Sequence, residues 1–501
     1  MLQEIYSYHN FMFPFRFDKI VQDNFKDRHR FYRDNRFESR VNIEEEVKKS
    51  LKKDDWEYQK FEVKNNLDYN ELVYFYDFVK DSLFNTQEFE KNATSYYFEK
   101  QNISNKYTLK TKENTYNLKL TGITLRLFDT GVGILSFEIE NYDYKELKDI
   151  LKINEFGRRV YPQFLGDNFS VDSTKEAFLA DYIELNGIKD DFKEEYKNIK
   201  LANFILKTLG DSFTSDMTQK DKLLIQPLLD DRMFVLCWYG DDNFANNIKD
   251  YKKDDNWYKF VFVDNNKMIQ NEEMQNNLIV KSTYSRWQDY NTLYGLTRYS
   301  FMLSTLSFST LKENHAEFIV SHTKTMYFQM IILLLAQRAS ILRFSDEVTA
   351  ISDIEPEDKR LTDNISNLYK HYLRFKNKLY FKEITPQEQG IELYDKAREI
   401  MRIDSDITDL SNEIQSLNGY AYLIQEREEK EQMNKLTKLG IIFLPGTFIA
   451  GVFGMNIFPD HFIDNISGFV LAFGSIVGLT YYLTKINNIS IKDFFTKEKN
   501  E

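Results

Sequence analysis

Two long runs without a charged residue lie near the C-terminal end of the sequence. They cover residues 439–458 and 467–484, which are 20 and 18 residues long, although charged residues make up 29% of the chain. An α-helix rises about 1.5 Å per residue, so about 17–25 residues cross a bilayer core of roughly 30 Å. Both runs are therefore predicted as transmembrane helices, and a pair of buried core helices is the alternative.

The charges that flank the two runs predict their orientation. Lysine and arginine residues precede the first run and follow the second, whereas the connecting segment 459–466 contains neither. Because positively charged segments stay on the cytoplasmic side, both termini are predicted to be cytoplasmic. Segment 459–466 is then a short outer loop and 485–501 a cytoplasmic tail. The N-terminus lacks a basic region followed by an apolar one, so no signal peptide is predicted, and the location is the inner (cytoplasmic) membrane.

A heptad pattern precedes the first uncharged run. Apolar residues recur at alternating steps of three and four from Ile400 to Ile424, and no proline occurs between Pro386 and Pro445. This pattern predicts a helix that packs along its length, continuous over residues 387–438.

Two further helices are predicted before it, over 313–345 and 357–381, with a break around Pro356. Together the three helices would form a stalk over residues 309–438. The apolar run 330–336 is too short to cross a membrane and is predicted as part of a buried core helix.

Residues 1–308 show the mixed periodicities of an α/β domain. A hairpin is predicted where two alternating segments, 123–128 and 133–139, flank Asp129-Thr-Gly131. Other predicted strands cover 107–112, 116–120, 232–238 and 257–263, and a helix is predicted over 173–184. This cytoplasmic domain is the candidate ligand sensor.

Composition narrows the function further. The chain has 501 residues and a net charge of −12, which does not suggest a nucleic-acid-binding protein. The one cysteine, Cys237, lies in an apolar run and is predicted to be a buried core residue in a reducing compartment. No phosphate-binding loop, nucleophile motif or histidine-rich metal motif is present, so an enzyme is not expected and no cofactor is predicted.

One face of the first predicted span carries small or uncharged side chains. This stripe recurs at three- and four-residue steps through Met433, Leu436, Gly440, Leu444, Thr447 and Gly451. Extending it towards the N-terminus reaches Glu429 and Glu426, which would form acidic rings below the membrane in a ring of copies. An ordinary solvated helix end is the alternative for these two acids. The run itself ends on an amide side chain in Gly454-Met455-Asn456, which suggests an ion path.

Residues 443–456 read Phe-Leu-Pro-Gly-Thr-Phe-Ile-Ala-Gly-Val-Phe-Gly-Met-Asn. This segment, the second span and the long preceding helix resemble the CorA family of two-span magnesium channels. The resemblance covers about residues 387–485 and implies a pentameric CorA-like architecture with a central pore.

Several site residues follow from the resemblance. It implies that Gly454, Met455 and Asn456 form the outer mouth, where Asn456 contacts a hydrated cation such as Mg²⁺, the permeant or regulatory ion. Thr447 and Gly451 line the pore in this interpretation. The apolar gates are Met433, Leu436 and Leu444. The outer loop lacks the family's usual Met-Pro-Glu-Leu and contains Asp460 and Asp464 instead.

Two charged groups in the cytoplasmic domain are candidate ligand-binding residues. Arg158 and Arg159 follow Gly157 and suit a phosphate or carboxylate, whereas Asp230 and Asp231 precede a predicted strand and could accept hydrogen bonds. The alternative for both groups is a surface salt-bridge network.

The size of this domain, with segments 9–15 and 381–393, resembles the CorA-like membrane effectors associated with type III CRISPR systems. That resemblance implies an antiviral role in which a nucleotide messenger, a conjugate of S-adenosylmethionine and AMP, acts on the pore. Arg158 and Arg159 would then contact phosphate.

Three hypotheses remain at this point. The first is a signal-gated channel or membrane-disrupting effector, and the second is a housekeeping Mg²⁺ uptake channel gated by Mg²⁺. The third is a membrane-anchored receptor or scaffold whose spans only tether it.

Overall fold

The structure is a computed structural model of the chain. It describes residues 4–19, 47–84, 93–160, 180–191, 201–216, 218–219, 222–230, 232–352, 354, 360–454 and 466–486. The chain divides into two compact units, one of residues 1–355 with 363–415 and one of residues 356–362 with 416–501. The domain boundaries predicted from the sequence stay predictions.

The first unit contains a mixed 14-stranded sheet in its described residues. The strands are β1 Ser7–Lys19, β2 Trp56–Tyr58, β3 Ser95–Lys100, β4 Lys106–Lys110, β5 Thr115–Phe128, β6 Val132–Asn141, β7 Tyr182–Leu185, β8 Ile188–Asp191, β9 Phe213–Thr214, β10 Leu223–Pro227, β11 Phe234–Gly240, β12 Thr283–Tyr284, β13 Leu293–Leu296 and β14 Ser300–Thr305. Their main path is β12-β13-β14-β11-β1-β6-β5-β4-β7-β8.

Strand β1 organises this sheet. It pairs with β6 along one edge, and with β11 and then β10 along the other. The change of partner occurs between Met12, the last residue paired with β11, and Phe15, the first paired with β10. Pro14 lies in this gap, where its missing N–H disrupts neither ladder.

The described residues also form α-helices. They are α1 Lys48–Lys53, α2 Asn66–Val73, α3 Asp77–Leu83, α4 Leu147–Gly157, α5 Asn203–Leu209, α6 Asp242–Asn247, α7 Asp255–Phe262, α8 Glu272–Ser282, α9 Phe308–Glu313, α10 Phe318–Lys324, α11 Met326–Ser352, α12 Arg360–Lys378, α13 Glu388–Met401, α14 Ile403–Gly454 and α15 Ile466–Ile486.

Helix α11 is the core helix of the first unit and contacts β1 and β6. Most of its side chains are buried, including all of residues 330–336, so the predicted core helix is confirmed. Among the described residues, one helical stretch, Phe318–Ser352, is long and apolar enough to cross a membrane, and 83% of its apolar window is buried inside the protein. That burial identifies it as a core helix. The two predicted transmembrane helices stay predictions.

A buried ion-pair network attaches α11 to the sheet. Arg343 is fully buried; its Nη2 donates to Asp18 Oδ1 at 2.8 Å and its Nε to Glu347 Oε1 at 3.1 Å. Its Nη1 donates to the carbonyl oxygen of Gly131 at 2.6 Å. Gly131 has φ +77°, and a Cβ there would lie 2.4 Å from Arg343 Nη1, so only glycine fits.

Several local predictions can be compared with these elements. The hairpin around Asp129–Gly131 is confirmed by β5 and β6, although residues 116–120 join β5 instead of forming a separate strand. Cys237 is buried and free, as predicted. The predicted helix 173–184 is wrong at its end, where Tyr182 begins β7, and residues 173–179 lie outside the described residues.

The predicted strand over 257–263 is wrong, because these residues form most of α7. The carboxylate of Asp254 caps this helix by accepting a hydrogen bond from the backbone N–H of Trp257 at 2.7 Å. The buried residues Trp257, Phe260 and Val261 recur at helical spacing, which the sequence pattern did not separate from a short buried strand.

The predicted continuous helix over 387–438 is wrong at one point. Arg402 adopts a left-handed conformation with φ +58° and ends α13, so α14 starts at Ile403. The side chains of Arg398 and Asp404 form an ion pair across this break. The heptad seam is nevertheless buried at Ile403, Ile407, Leu410 and Ile414.

Arg343→Leu should lower the free energy of unfolding of the first unit by about 3–5 kcal/mol, because Glu347 and one oxygen of Asp18 lose the buried guanidinium. Urea unfolding, followed by the fluorescence of the buried tryptophans, measures this change. The matched control is Arg427→Leu, since Arg427 forms an ion pair with Glu431 but its side chain is 82% exposed. Equal effects of the two substitutions would contradict the central role of the network.

Candidate functional site

Helix α14, one uninterrupted element of 52 residues, carries the predicted gate residues and also Thr447, Gly451 and Gly454. The apolar side chains predicted as gates are largely exposed in the single chain, at 64% for Met433, 63% for Leu436 and 67% for Leu444. Thr447 and Gly451 are also exposed. The hydroxyl of Thr447 donates to the backbone carbonyl oxygens of Phe443 and Leu444, so its polarity is partly satisfied within the helix.

The two acids predicted below the membrane differ in their surroundings. Glu426 is half-buried and accepts a hydrogen bond from Lys430, one turn further along α14, at 2.8 Å. This hydrogen bond raises the pKa of Lys430 above its ordinary value. Glu429 is exposed. The charge of Glu426 is thus locally compensated, which leaves Glu429 as the stronger candidate for an acidic ring.

Helix α15 lies beside α14 within the second unit. A Cβ built on Gly446 would be 3.9 Å from Cγ2 of Ile476, an ordinary van der Waals distance, so the two helices are neighbours at this point. Large apolar side chains on both helices are exposed, among them Phe443, Phe448, Leu471 and Phe473. Exposed apolar surface of this kind needs a lipid or protein partner.

The remaining predicted residues of the pore mouth cannot be placed. Met455, Asn456, Asp460 and Asp464 lie outside the described residues, and so does Asp231 of the second candidate group. Gly454 is the last residue of α14. In the described ranges, no group of three or more histidine, cysteine, aspartate or glutamate side chains could hold a metal ion.

The tertiary structure brings together the candidate ligand residues Arg158, Arg159 and Asp230. Arg158 and Arg159 follow the C-terminus of α4, and Arg159 forms an antiparallel bridge with Arg232, which precedes β11. The backbone N–H of Met233 donates to the carbonyl oxygen of Arg158 at 2.7 Å. The two arginines are only 4% and 5% exposed, so they are buried within the domain and do not lie at its surface.

Gly157 allows this close arrangement. A Cβ at this position would lie 2.7 Å from Cζ of Phe11 on β1, so any larger residue would push the end of α4 away from the sheet. The hydroxyl of Tyr107 on β4 donates to the carbonyl oxygen of Gly157 at 3.2 Å. The backbone that presents Arg158 is therefore fixed by packing on both sides.

The electrostatics of this arginine cluster, which comprises Arg158, Arg159 and Arg232, favour an anion. Burial, and then the positive charges of Arg232 and Arg159, lower the pKa of Arg158 to about 9. Nη2 of Arg158 donates to the carbonyl oxygen of Val263 at 3.2 Å, whereas its Nε is buried without a hydrogen-bond partner among the described atoms. A buried cation with a free N–H gains from an oxyanion.

Two acids moderate this positive charge. Asp230 Oδ2 accepts hydrogen bonds from Nε and Nη2 of Arg232 at 3.0 and 2.8 Å. Glu155 on α4 is 7% exposed, and burial raises its pKa although Arg159 and Arg158 act in the opposite direction. Protonation of Glu155 would therefore increase the net positive charge around the arginine cluster.

The sequence pattern did not indicate that Glu155 and the carbonyl oxygen of Val263 lie beside the arginine cluster. Glu155 stands between Ile153 and Phe156 on a helix with a strong apolar face, and a carboxylate in such a setting is a signal that could have been used. Val263 is separated from Arg158 by 105 positions and carries no such signal.

Comparison with known proteins finds a family match in the C-terminal part of the chain. Residues 336–485 match the family model of the CorA-like Mg²⁺ transporter protein. This CorA-like region starts within α11 and includes α12, α13, α14 and nearly all of α15, whereas the sheet lies outside it. No curated protein matches the chain.

The match supports the expected family, whose members are membrane-integral divalent-cation channels or transporters. The CorA-like region contains every predicted gate and pore position, and the arginine cluster lies outside it. The pore residues and the arginine cluster therefore belong to different parts of the chain.

Proposed function

We propose that this protein is a homopentameric Mg²⁺-type cation channel of the cytoplasmic membrane, with both termini in the cytoplasm. The observation that carries the proposal is the match of residues 336–485 to a family of Mg²⁺ transporters. The long helix α14 lines the pore in this assembly, and α15 forms the outer ring of helices. Five copies of Asn456 contact the water shell of an ion that sheds its water reluctantly.

The exposed apolar side chains of α14 and α15 support this arrangement. Met433, Leu436 and Leu444 are more than half exposed in one chain, and so are Phe448 and Leu471. Bilayer lipid and neighbouring copies would remove such surface from water, at about 25 cal/mol per Å² of apolar area. Rings of apolar side chains can also close a pore by excluding water.

We further propose that the α/β domain controls this pore by binding a nucleotide messenger at the arginine cluster. A phosphate group would supply acceptor oxygens to the buried Nε of Arg158 and offset the repulsion among the three guanidinium groups. The messenger we propose is a conjugate of S-adenosylmethionine and AMP, and the physiological role is antiviral defence in a type III CRISPR system.

A second candidate function is housekeeping Mg²⁺ uptake, controlled by Mg²⁺ itself. The description of the matched family as Mg²⁺ transporters favours it directly. The two candidates share the pore and differ in the ligand of the cytoplasmic domain, so ligand titration separates them. Growth of a Mg²⁺-starved host that is restored by this chain without any nucleotide would favour uptake.

Asn456→Ala should reduce Mg²⁺ flux into liposomes that contain the purified protein by about tenfold or more, because the amide no longer contacts the hydrated ion. The reference variant is Asn434→Ala, which makes the same change at an exposed position of α14 outside the predicted pore stripe. Unchanged flux in Asn456→Ala, or an equal loss in Asn434→Ala, would contradict the pore mechanism.

Arg158→Gln should weaken binding of the nucleotide conjugate by about tenfold or more, because a charge-assisted hydrogen bond contributes about 1.5–3 kcal/mol. Isothermal titration of the full-length protein in detergent measures this change. Arg427→Gln, an exposed arginine on α14, should leave the affinity unaltered. If the unaltered protein binds no nucleotide but does bind Mg²⁺, the uptake function is favoured instead.

Nucleotide affinity should rise as the pH falls from about 8 to about 5. The pKa of Glu155 is raised, so its protonation begins at a higher pH than for an ordinary glutamate and removes a negative charge beside Arg158. Glu155→Gln should bind more tightly than the unaltered protein at pH 8 and show a weaker pH dependence, with the remainder due to Arg158, whose pKa is about 9. Titrations with the dinucleotide ApA, whose phosphodiester charge is constant over this range, measure how affinity changes with pH. An affinity that rises with pH would contradict the role given to Glu155.

A further inference from the structure

A cavity in the first unit has none of the pore residues or cluster arginines described above among its described lining residues. Its volume is about 600 Å³, which is within the roughly 300–1,000 Å³ of small-molecule sites. The walls come from the segment between β12 and β13, the region of α9 and α10, the start of α11 and the start of α13. The residues used below are Trp287, Asp289, Tyr290, Asn291, Phe318, His322, Tyr327 and Gln387.

Aromatic rings form much of this cavity wall. The rings of Trp287 and Tyr290 have centroids 6.2 Å apart, and those of Phe318 and His322 have centroids 5.4 Å apart in an edge-to-face arrangement. The ring centroids of Tyr327 and His322 are 6.3 Å apart. A planar ring could stack against such walls, and a cation would be attracted to their faces.

The side-chain amide of Gln389 forms hydrogen bonds with three aromatic residues in this region. The Nε2 atom of Gln389 donates to the hydroxyl oxygens of Tyr294 and Tyr327 at 2.8 and 2.6 Å, and its Oε1 accepts from Nε1 of Trp287 at 2.9 Å. The wall is thus preorganised by a network that joins three separate parts of the chain. Preorganisation reduces the entropy lost on binding.

The polar groups of the lining residues select the charge of a ligand. None of the described lining residues is lysine or arginine, and Asp289 carries the negative charge. The carbonyl oxygens Asn291 Oδ1 and Gln387 Oε1 belong to lining residues and are buried without a hydrogen-bond partner among the described atoms. Burial lowers the pKa of His322, so this side chain adds no positive charge near neutral pH. A ligand that donates hydrogen bonds from N–H groups would satisfy these two oxygens.

We propose that this cavity is a binding site for a planar aromatic ligand that carries N–H donors and a neutral or positive charge. The aromatic walls hold the ring, the amide oxygens of Asn291 and Gln387 accept from its N–H groups, and Asp289 favours a cation. Anionic ligands are disfavoured, in contrast with the arginine cluster. The inference concerns a site separate from the proposed messenger site and does not depend on that function.

Three probes of equal size and different charge test the proposal on the full-length protein in detergent. Benzamidine is cationic, benzamide is neutral and benzoate is anionic without N–H donors. Isothermal titration should give affinities in the order benzamidine, benzamide, benzoate, with benzoate about tenfold or more weaker than benzamidine. Equal or tighter binding of benzoate, or no binding of benzamidine at millimolar concentration, would overturn the proposal.

Variants locate the binding. Asp289→Asn should weaken benzamidine binding by about three- to fivefold and leave benzamide unchanged, because an exposed ion pair contributes modestly. Asp191→Asn is the matched control and should change neither affinity, because Asp191 is an exposed residue of β8, at the opposite end of the sheet path from β12. Phe318→Ala should weaken binding of both probes about tenfold, because it removes one aromatic wall of the cavity. Sensitivity to Asp191→Asn instead of Asp289→Asn would overturn the assignment.

Tryptophan fluorescence gives an independent readout of position. Trp287 is half-buried and lines the cavity, whereas Trp56, Trp238 and Trp257 are buried elsewhere at no more than 3% exposure. Benzamidine should change the fluorescence of the unaltered protein and leave that of Trp287→Phe constant. A change that persists in Trp287→Phe would show that the probe binds at another place. Because no probe contains phosphate, these results do not depend on nucleotide binding at the arginine cluster.

Discussion

The buried guanidinium of Arg343 is the interaction on which the first unit depends. It joins the core helix α11 to the end of β1 through Asp18 and to the β5–β6 turn through the carbonyl oxygen of Gly131. Arg16 pairs with the other oxygen of Asp18 and with Asp346, and these carboxylates hold the pKa of Arg16 above its ordinary value although burial opposes the charge. Buried charges are stable only when hydrogen bonds and opposite charges compensate each of them. This network therefore fixes the position of α11 on the sheet.

The same constraint separates the two kinds of apolar helix in this chain. Helix α11 is apolar enough to cross a membrane, but the sheet and its neighbours bury it. The apolar side chains of α14 and α15 remain exposed, as at Leu444 and Leu471, and therefore need a bilayer or other copies. Among the described residues, the stretch Phe318–Ser352 that contains α11 is the one long and apolar enough to cross a membrane, although it is buried. Hydropathy alone therefore does not identify a membrane span. The helices differ in what covers their apolar side chains.

Two groups of residues in the first unit have opposite chemistry. The arginine cluster around Arg158 combines burial with like charges and favours an oxyanion, whereas the aromatic cavity around Trp287 has no lysine or arginine among its described lining residues. Each is organised by contacts between distant parts of the chain, such as Arg158 with Val263 and Gln389 with Tyr294. The two proposed sites would therefore recognise ligands of opposite charge.

The sequence alone determined the elements whose residues interact locally. Its alternation and turn residues predicted the hairpin around Gly131, and its three-four spacing predicted the buried seam from Ile403 to Ile414, because periodicity records which side of an element faces apolar neighbours. It also singled out Arg158 and Arg159 as candidate anion-binding residues, but not the burial that lowers the pKa of Arg158. Only the tertiary structure decided the left-handed break at Arg402, the helix in place of a strand at Trp257, and the meeting of Arg158 with Arg232 and Glu155. These outcomes depend on long-range packing and on the desolvation of polar groups that packing causes. Neither effect is encoded in the spacing of neighbouring residues.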